Sequence, residues 1–299
     1  MSVFSRANFK MNTMNKPLRS LLILALTAAT SLPAFGGEPK RIIICSVTTG
    51  FRHSSIAIAE KTLQKLGEES GAYTIVDFVH QPSGPKDQAA EEMKKNMEKL
   101  SPASLVAQKI DGVIFANTTG DLPLPDRDGF IKWIEDGHAF MAMHSGSDTF
   151  HGFPGYNGML QGEFSGHGAQ VPADLVAGDA AHPANGGIGA TWNLQQEEMY
   201  HIKNQDRSKV RVLWFMRHDP NKVEQLGYFA VSWCRMAGKG HVFYTTLGHR
   251  EDLWTDDASI KDRKNTPETS KHFQAHILGG IKWALGLSDG SSEPNPDVK

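Results

Sequence analysis

Apolar positions along this chain follow two spacings, and their order predicts the architecture. Lys40 to Val47 (KRIIICSV) is an unbroken β-branched run, the pattern of a strand buried on both faces. After a polar interval, Ile56, Ala59, Leu63 and Leu66 recur at spacings of three and four, which predicts an amphipathic helix with Ser54 or Ser55 as its cap. Tyr73 to Val79 reads as a second strand. Asp87 to Leu100 reads as a lysine-rich helix with Met93 and Met97 inward. Asp111 to Asn117 is a third strand, Pro125 to Ile134 a helix stopped by Gly137, and Ala139 to Met143 a fourth strand. This β-α-β-α-β-α-β order predicts a parallel sheet with right-handed crossovers. Further strands are expected at Val171 to Ala177, Val210 to Phe215, Tyr228 to Trp233 and His241 to Thr246. The segments carrying His182-Pro183, Trp192 and Glu197 to Tyr200 are read as loops between them. A last helix, about Thr269 to Leu285, puts Phe273, Ile277, Ile281 and Ala284 on one face. With no internal repeat and no linker, residues 37–287 form one α/β domain. Ser288 to Lys299 is expected to be a disordered polar tail.

The first 36 residues have a different pattern. Lys16 and Arg19 precede an apolar run, Leu21 to Ala29, too short to span a bilayer, and small residues at Ala34 and Gly36 follow. This is the pattern of a signal peptide (1–36). It implies export to the periplasm or outside the cell, with no integral membrane segment after cleavage. Removing its four basic residues from the total of 31 leaves 27 against 33 acidic ones, a net of −6 rather than −2. No basic run with interleaved aromatics is present, so nucleic acid is not an expected partner. The two cysteines, Cys45 and Cys234, sit in apolar runs and read as buried thiols. Nothing in the pattern speaks for or against a homo-oligomer.

Candidate chemistry concentrates where the fourth strand breaks. Ala139 to Gly168 begins apolar, stops at His144, and continues with His144, Asp148, His151, Glu163 and His167 among small residues. Open α/β sheets present ligand sites at the carboxyl ends of their strands. His53, the Asn117–Asp121 turn, His144 and His249 all follow strand ends, so they are expected to converge. His80, His138, His201, His218, His272 and His276 are read as structural. No G-x-S-x-G, G-x-G-x-x-G or P-loop occurs, which removes the serine-hydrolase, dinucleotide and nucleoside-triphosphate signatures. What is left is an imidazole and carboxylate set. It suits either a transition metal such as zinc, or general acid–base work on a polyhydroxylated substrate. The second half is rich in aromatics, including Tyr200 and Trp254, which could pack on sugar rings.

These motifs resemble the ThuA-like (trehalose utilisation) proteins. The resemblance rests on Thr49-Gly-Phe-Arg-His-Ser-Ser-Ile56, Phe115-Ala-Asn-Thr-Thr-Gly-Asp121, His144-Ser-Gly-Ser-Asp-Thr149, Gly162-Glu-Phe-Ser-Gly-His167, His182-Pro183, Glu197-Glu-Met-Tyr200 and Gly240 to His249, together with Gly279 to Ala284. It covers about Lys40 to Gly286. It implies a flavodoxin-like α/β fold of the class I glutamine amidotransferase type, a mostly parallel central sheet with helices on both faces. His144 stands where those amidotransferases carry their cysteine, so glutamine hydrolysis is not implied. A role in breakdown of disaccharides or 3-keto-glycosides is implied instead, with a small-molecule carbohydrate as partner and a divalent metal (zinc or similar) as cofactor. The chain departs from the family pattern at Phe229 to Trp233, which lacks a His-Pro pair, and at Gly166-His167-Gly168.

The expectation is an exported sugar-processing enzyme. His144, Asp148, Glu198 and His249 are its catalytic candidates, and His53, Asn117, Tyr200 and Trp254 its substrate-binding candidates. His144, His167 and His249 are its metal-ligand candidates. The alternative is a non-catalytic sugar-binding protein on a degenerate amidotransferase-like scaffold.

Overall fold

A computed structural model describes residues 37–298, so the signal-peptide reading of 1–36 lies outside the described residues. Eleven strands are assigned: β1 (Lys40–Cys45), β2 (Tyr73–Val79), β3 (Gly112–Ala116), β4 (Ala139–Met143), β5 (Glu163–His167), β6 (Val171–Ala177), β7 (Thr191–Glu197), β8 (Tyr200–Lys203), β9 (Arg211–Asp219), β10 (Lys222–Ala237) and β11 (Gly240–Thr245). The helices are α1 (Ile56–Ser70), α2 (Lys86–Met97), α3 (Pro102–Ala107), α4 (Arg127–Glu135), α5 (Pro154–Leu160), α6 (Glu251–Trp254) and α7 (Pro267–Ala284).

Nine strands make one sheet in the order β2-β1-β3-β4-β11-β10-β9-β6-β7, and β5 pairs with β8 in a separate ribbon. The first five are mutually parallel, in the doubly wound order with β11 as the fifth strand. From β10 outward every pairing is antiparallel. The sheet is therefore mixed, which corrects the expectation of a mostly parallel one. The reason is local. Short connections, such as residues 220–221 between β9 and β10 and 238–239 between β10 and β11, allow only hairpins, whereas parallel neighbours need a crossover.

Burial on both faces explains the unbroken apolar runs. Ile42, Ile44, Ile114, Met141 and Met143 pack with Ala59, Leu63, Phe273, Ile277 and Ile281, on the side covered by α1 and α7. Ile43, Cys45, Val113, Phe115, Phe140 and Ala142 face the opposite way, towards Met93, Met97, Phe130, Ile134, Tyr156 and Leu160 of α2, α4 and α5. Both cysteines are free and buried, as expected.

Expectations of loop are corrected in two regions. The region after His144 contains α5 and β5, and the supposed loops at Trp192 and at Glu197 to Tyr200 contain β7 and β8. Residues of the polar tail make specific contacts. The Asn295 side chain accepts from Val212 N at 2.7 Å and donates to the carbonyls of Val212 (3.1 Å) and Gly178 (3.2 Å). Trp283 Nε1 donates to Gly290 O at 2.9 Å.

Candidate functional site

The parallel register brings four strand ends level. Cys45 lies opposite Phe115, Ala116 opposite Met143, and Met143 opposite Thr245, so the loops that follow leave one edge together. Their turns are stitched across that edge by bridges between Thr48 and Thr119 and between Gly120 and Thr149.

His144 is the first residue past β4 and adopts a left-handed backbone, with φ of 47°. For a non-glycine residue that conformation persists only where its surroundings impose it. Here Tyr244 Oη donates to His144 O at 2.6 Å, and Tyr156 Oη donates to Gly146 O at 2.7 Å. A side chain at position 146 would bring its Cβ to 2.7 Å from Ala142 Cβ, so glycine is required for the turn to fold back over the strand. The geometry resembles a nucleophile elbow with imidazole at its tip.

That imidazole is fully buried. Its Nδ1 donates to Thr246 O at 2.8 Å, which leaves the lone pair on Nε2. Around Nε2 lie His53 Nε2 at 3.1 Å, the Tyr200 hydroxyl at 2.9 Å and Glu198 Oε2 at 3.7 Å. Ser145 Oγ, 3.3 Å from His53 Nδ1, can accept a hydrogen bond from Nδ1–H, which leaves the lone pair on His53 Nε2. His249 Nδ1 sits 3.1 Å from Glu198 Oε2. It is a buried nitrogen with no aligned hydrogen bond.

His53, His144, Glu198 and His249 thus each offer one ligand atom, all within 4.8 Å of one another. For metal–ligand bonds of about 2.1 Å, tetrahedral ligand atoms are about 3.4 Å apart; three of the six separations here are 3.1–3.7 Å and the rest lie within 4.8 Å. The donor set of three imidazoles and one carboxylate suits zinc or a similar divalent ion. An unsatisfied nitrogen aimed into the cluster fits the same interpretation.

Electrostatics point the same way. Burial, reinforced by His249, pulls the His53 imidazole down to about 4. Burial with His53 and His249 holds His144 well below its ordinary value. Both rings are therefore neutral near pH 7, the form that ligates metals. For His249 burial acts downward, but Glu198 and Glu197 outweigh it and its basicity is raised.

The cleft over this cluster has a volume of about 280 Å³ and is lined by Phe51, His53, Asp148, Phe164, His167, Glu198, Tyr200 and His249. A larger depression of about 490 Å³, including His201, Arg207, Asp219 and Tyr228, shares only Tyr200 with it and carries no such convergence.

Of the sequence candidates, His144, Glu198 and His249 meet at the centre, and Asp148 and Tyr200 line the cleft. The other four candidates lie as follows. His53, expected to bind substrate, joins the ligand cluster. His167, expected among the ligands, stands outside it. Its Nδ1 reaches Glu198 Oε1 at 3.2 Å and Gly168 O at 2.8 Å. Asn117 and Trp254 are wholly buried and bind no cleft. Asn117 Nδ2 donates to Ser55 Oγ and Gly248 O, both at 3.0 Å, and Trp254 Nε1 donates to Gly248 O at 2.9 Å. These two side chains pin the loop that carries His249. Sequence reasoning missed Glu197, whose carboxylate accepts from the backbone N–H of Gly248 (3.1 Å), His249 (2.6 Å) and Arg250 (3.3 Å). The adjacent acidic pair was the available signal, since two neighbouring carboxylates, both buried, need separate sets of partners.

Together these features define an α/β protein with a histidine–carboxylate centre at the carboxyl edge of its parallel strands. Residues 41–284 match the ThuA family, described as trehalose utilisation, and the chain belongs to that family. Its fold is similar to that of a ThuA-like protein from Parabacteroides merdae (TM-score 0.63, 18% identity, 87% of this chain and 96% of that one). It is also similar to a ThuA-like protein from Bacteroides uniformis (TM-score 0.58, 15% identity, 89% and 99%). No curated protein sequence matches.

Proposed function

We propose that this protein is a divalent-metal-dependent enzyme acting on a sugar or oxidised sugar in carbohydrate breakdown. The carrying observation is the convergence of His53, His144, Glu198 and His249 on one point at the floor of a cleft. Those four residues would hold the ion, which would supply Lewis acidity towards a sugar carbonyl or hydroxyl. Asp148, in the wall of the same cleft, is the group placed to move a proton. Tyr200 presents a hydroxyl at the floor. Phe51, 66% exposed, and Phe164 offer the aromatic wall that Trp254 does not, and an apolar sugar face can pack there. Cys45 and Cys234 are buried in β1 and β10 and burial raises both thiols, which argues against cysteine-based glutamine hydrolysis.

Export is part of the proposal and rests on the leader pattern. Among the described residues no helix is long and apolar enough to cross a membrane.

Elemental analysis of protein purified without chelator tests the centre. We expect about one divalent ion per chain, lost in His144→Ala and in His249→Ala, and conversion of keto-glycosides or disaccharides only by the metal-loaded form. A metal-free wild type that still converts a sugar would replace this mechanism with acid–base catalysis. Retention of a sugar unchanged after long incubation would leave a binding protein.

A further inference from the structure

We propose that Asp148, His151 and Glu163 form a proton relay joining the cleft to solvent. In it Asp148 exchanges protons with the substrate, and His151 and Glu163 are its positioning residues. The proposal rests on reading the cleft as a catalytic centre and adds the path by which its protons leave.

The geometry is a carboxylate–imidazole–carboxylate row. Asp148 lines the cleft, and its Oδ1 lies 2.5 Å from His151 Nε2. On the other side of the ring, His151 Nδ1 lies 2.6 Å from Glu163 Oε1. Exposure peaks at the ring in the middle of the row. The imidazole is 41% exposed, Asp148 is 27% exposed and Glu163 only 7%. His151 is therefore the member open to water.

Glu163 is fixed from three further sides. Lys203 Nζ lies 3.0 Å from Oε1, while Asn204 Nδ2 and Asn157 Nδ2 donate to Oε2 at 2.9 and 3.1 Å. A carboxylate so fully engaged serves to hold the imidazole rather than to meet a substrate. Asp148 is engaged through Oδ1, which leaves Oδ2 for the cleft.

Backbone strain places the ring between the two acids. Phe150, with its side chain buried, has φ of 57°, and Gly152 has φ of 75°. A bulky residue in the left-handed region is an outlier that packing must sustain. Phe150 N donates to Gly120 O at 3.1 Å, which ties this turn to the edge that carries the cleft. The ionisable groups around His151 are Asp148 from the turn after β4, Glu163 from β5 and, behind it, Lys203 from β8. Burial opposes protonation of His151, but the two carboxylates outweigh it and raise its basicity.

In the resting state the ring is imidazolium between two carboxylates. A proton taken from the substrate onto Asp148 Oδ2 neutralises one of them. The imidazolium then loses a proton to water. Rotation of the Asp148 carboxyl then brings its proton to the vacated ring nitrogen, which restores the starting pair, so one proton has passed from substrate to solvent.

Two measurements test this. In the protein as purified, ¹⁵N-histidine NMR should show both His151 nitrogens protonated at pH 7. Deprotonation should move at least one pH unit lower in Asp148→Asn and in Glu163→Gln. A neutral His151 at pH 7, or one indifferent to both substitutions, overturns the relay. With a sugar that the wild type converts, His151→Gln should lower kcat at least tenfold with KM within twofold and shift the pH–rate profile. Added imidazole should partly restore His151→Ala. Metal content and melting temperature should stay at the wild-type value in His151→Gln, which separates this loss from misfolding. If the wild type converts sugar and His151→Gln keeps its pH profile, the relay alone falls. If the wild type converts none of the sugars, the catalytic reading falls and takes the relay with it.

Discussion

Glu197 and Glu198 are adjacent in sequence and face different tasks. Glu198 reaches three histidines, His144, His167 and His249, while Glu197 is wholly buried behind them on the amides of residues 248–250. Burial raises the proton affinity of Glu197 to about 7, and His249 and the three amides work against that rise. Glu197→Gln keeps the volume but weakens the grip on the His249 loop. Residues behind metal ligands typically contribute 10–100-fold in affinity, so a chelator-competition assay should read a loss in that range. Stability should fall by about 1–3 kcal/mol in urea unfolding. Trp254→Phe tests the opposite case. It removes the bond to Gly248 O from a fully buried ring packed edge-on to Phe273 at 4.9 Å. Unfolding should show a loss of about 1–3 kcal/mol, with the metal retained. Trp254 is a sequence candidate for sugar packing because it stands in a polar stretch, followed by Thr255, Asp256 and Asp257. Its burial comes from α1 and α7, whose contact with this loop no local pattern encodes.

At the scale of elements, the strands and helices with a clean period match the sequence reading closely. β2 and β6 have their expected limits, and α7 buries the four residues assigned to its inner face. Apart from β7, where Trp192 and Leu194 alternate inward, the elements overlooked lack a period. β5 reads EFSGH, β8 has four residues, and α5 contains two glycines in seven. Such segments are held by partners rather than by propensity: β5 and β8 by each other, α5 by burial of Tyr156, Met159 and Leu160. The tail is a similar case. Its composition is that of a disordered segment, yet one carboxamide satisfies three backbone groups of β9 and the loop after β6. Asn295→Ala should cost about 1–3 kcal/mol and speed hydrogen exchange at Val212, which tests whether the tail is part of the folded unit.

Across the whole molecule, neutral buried histidines set the response to acid. His53, His182 and His276 are each pulled by burial to about 4, and His144 lies well below its ordinary value. Their folded affinities for protons are below the unfolded value of about 6.5. The unfolded chain therefore binds protons first, and this stability is present above pH 6.5 and lost as pH falls towards 4. Glu197, with a raised value, acts in the opposite sense below about 7, as do His151 and His249, whose basicity is raised, while His241, lowered by burial, acts with the four. Chelator-treated protein should lose several kcal/mol between pH 6.5 and 4 in urea titrations. Metal affinity should decline over the same window as the imidazoles protonate. The chain alone determined the family, the α/β alternation, the buried character of the first strands and the clustering of imidazoles at strand ends, because each is written in local period or motif. Tertiary structure decided the antiparallel half of the sheet, the exchange of His53 for His167 in the cluster, the withdrawal of Asn117 and Trp254 from the cleft, and the bracketing of His151. These depend on which distant strand ends lie level and which loops pack behind them, and distances between remote residues are set only when the sheet closes its register.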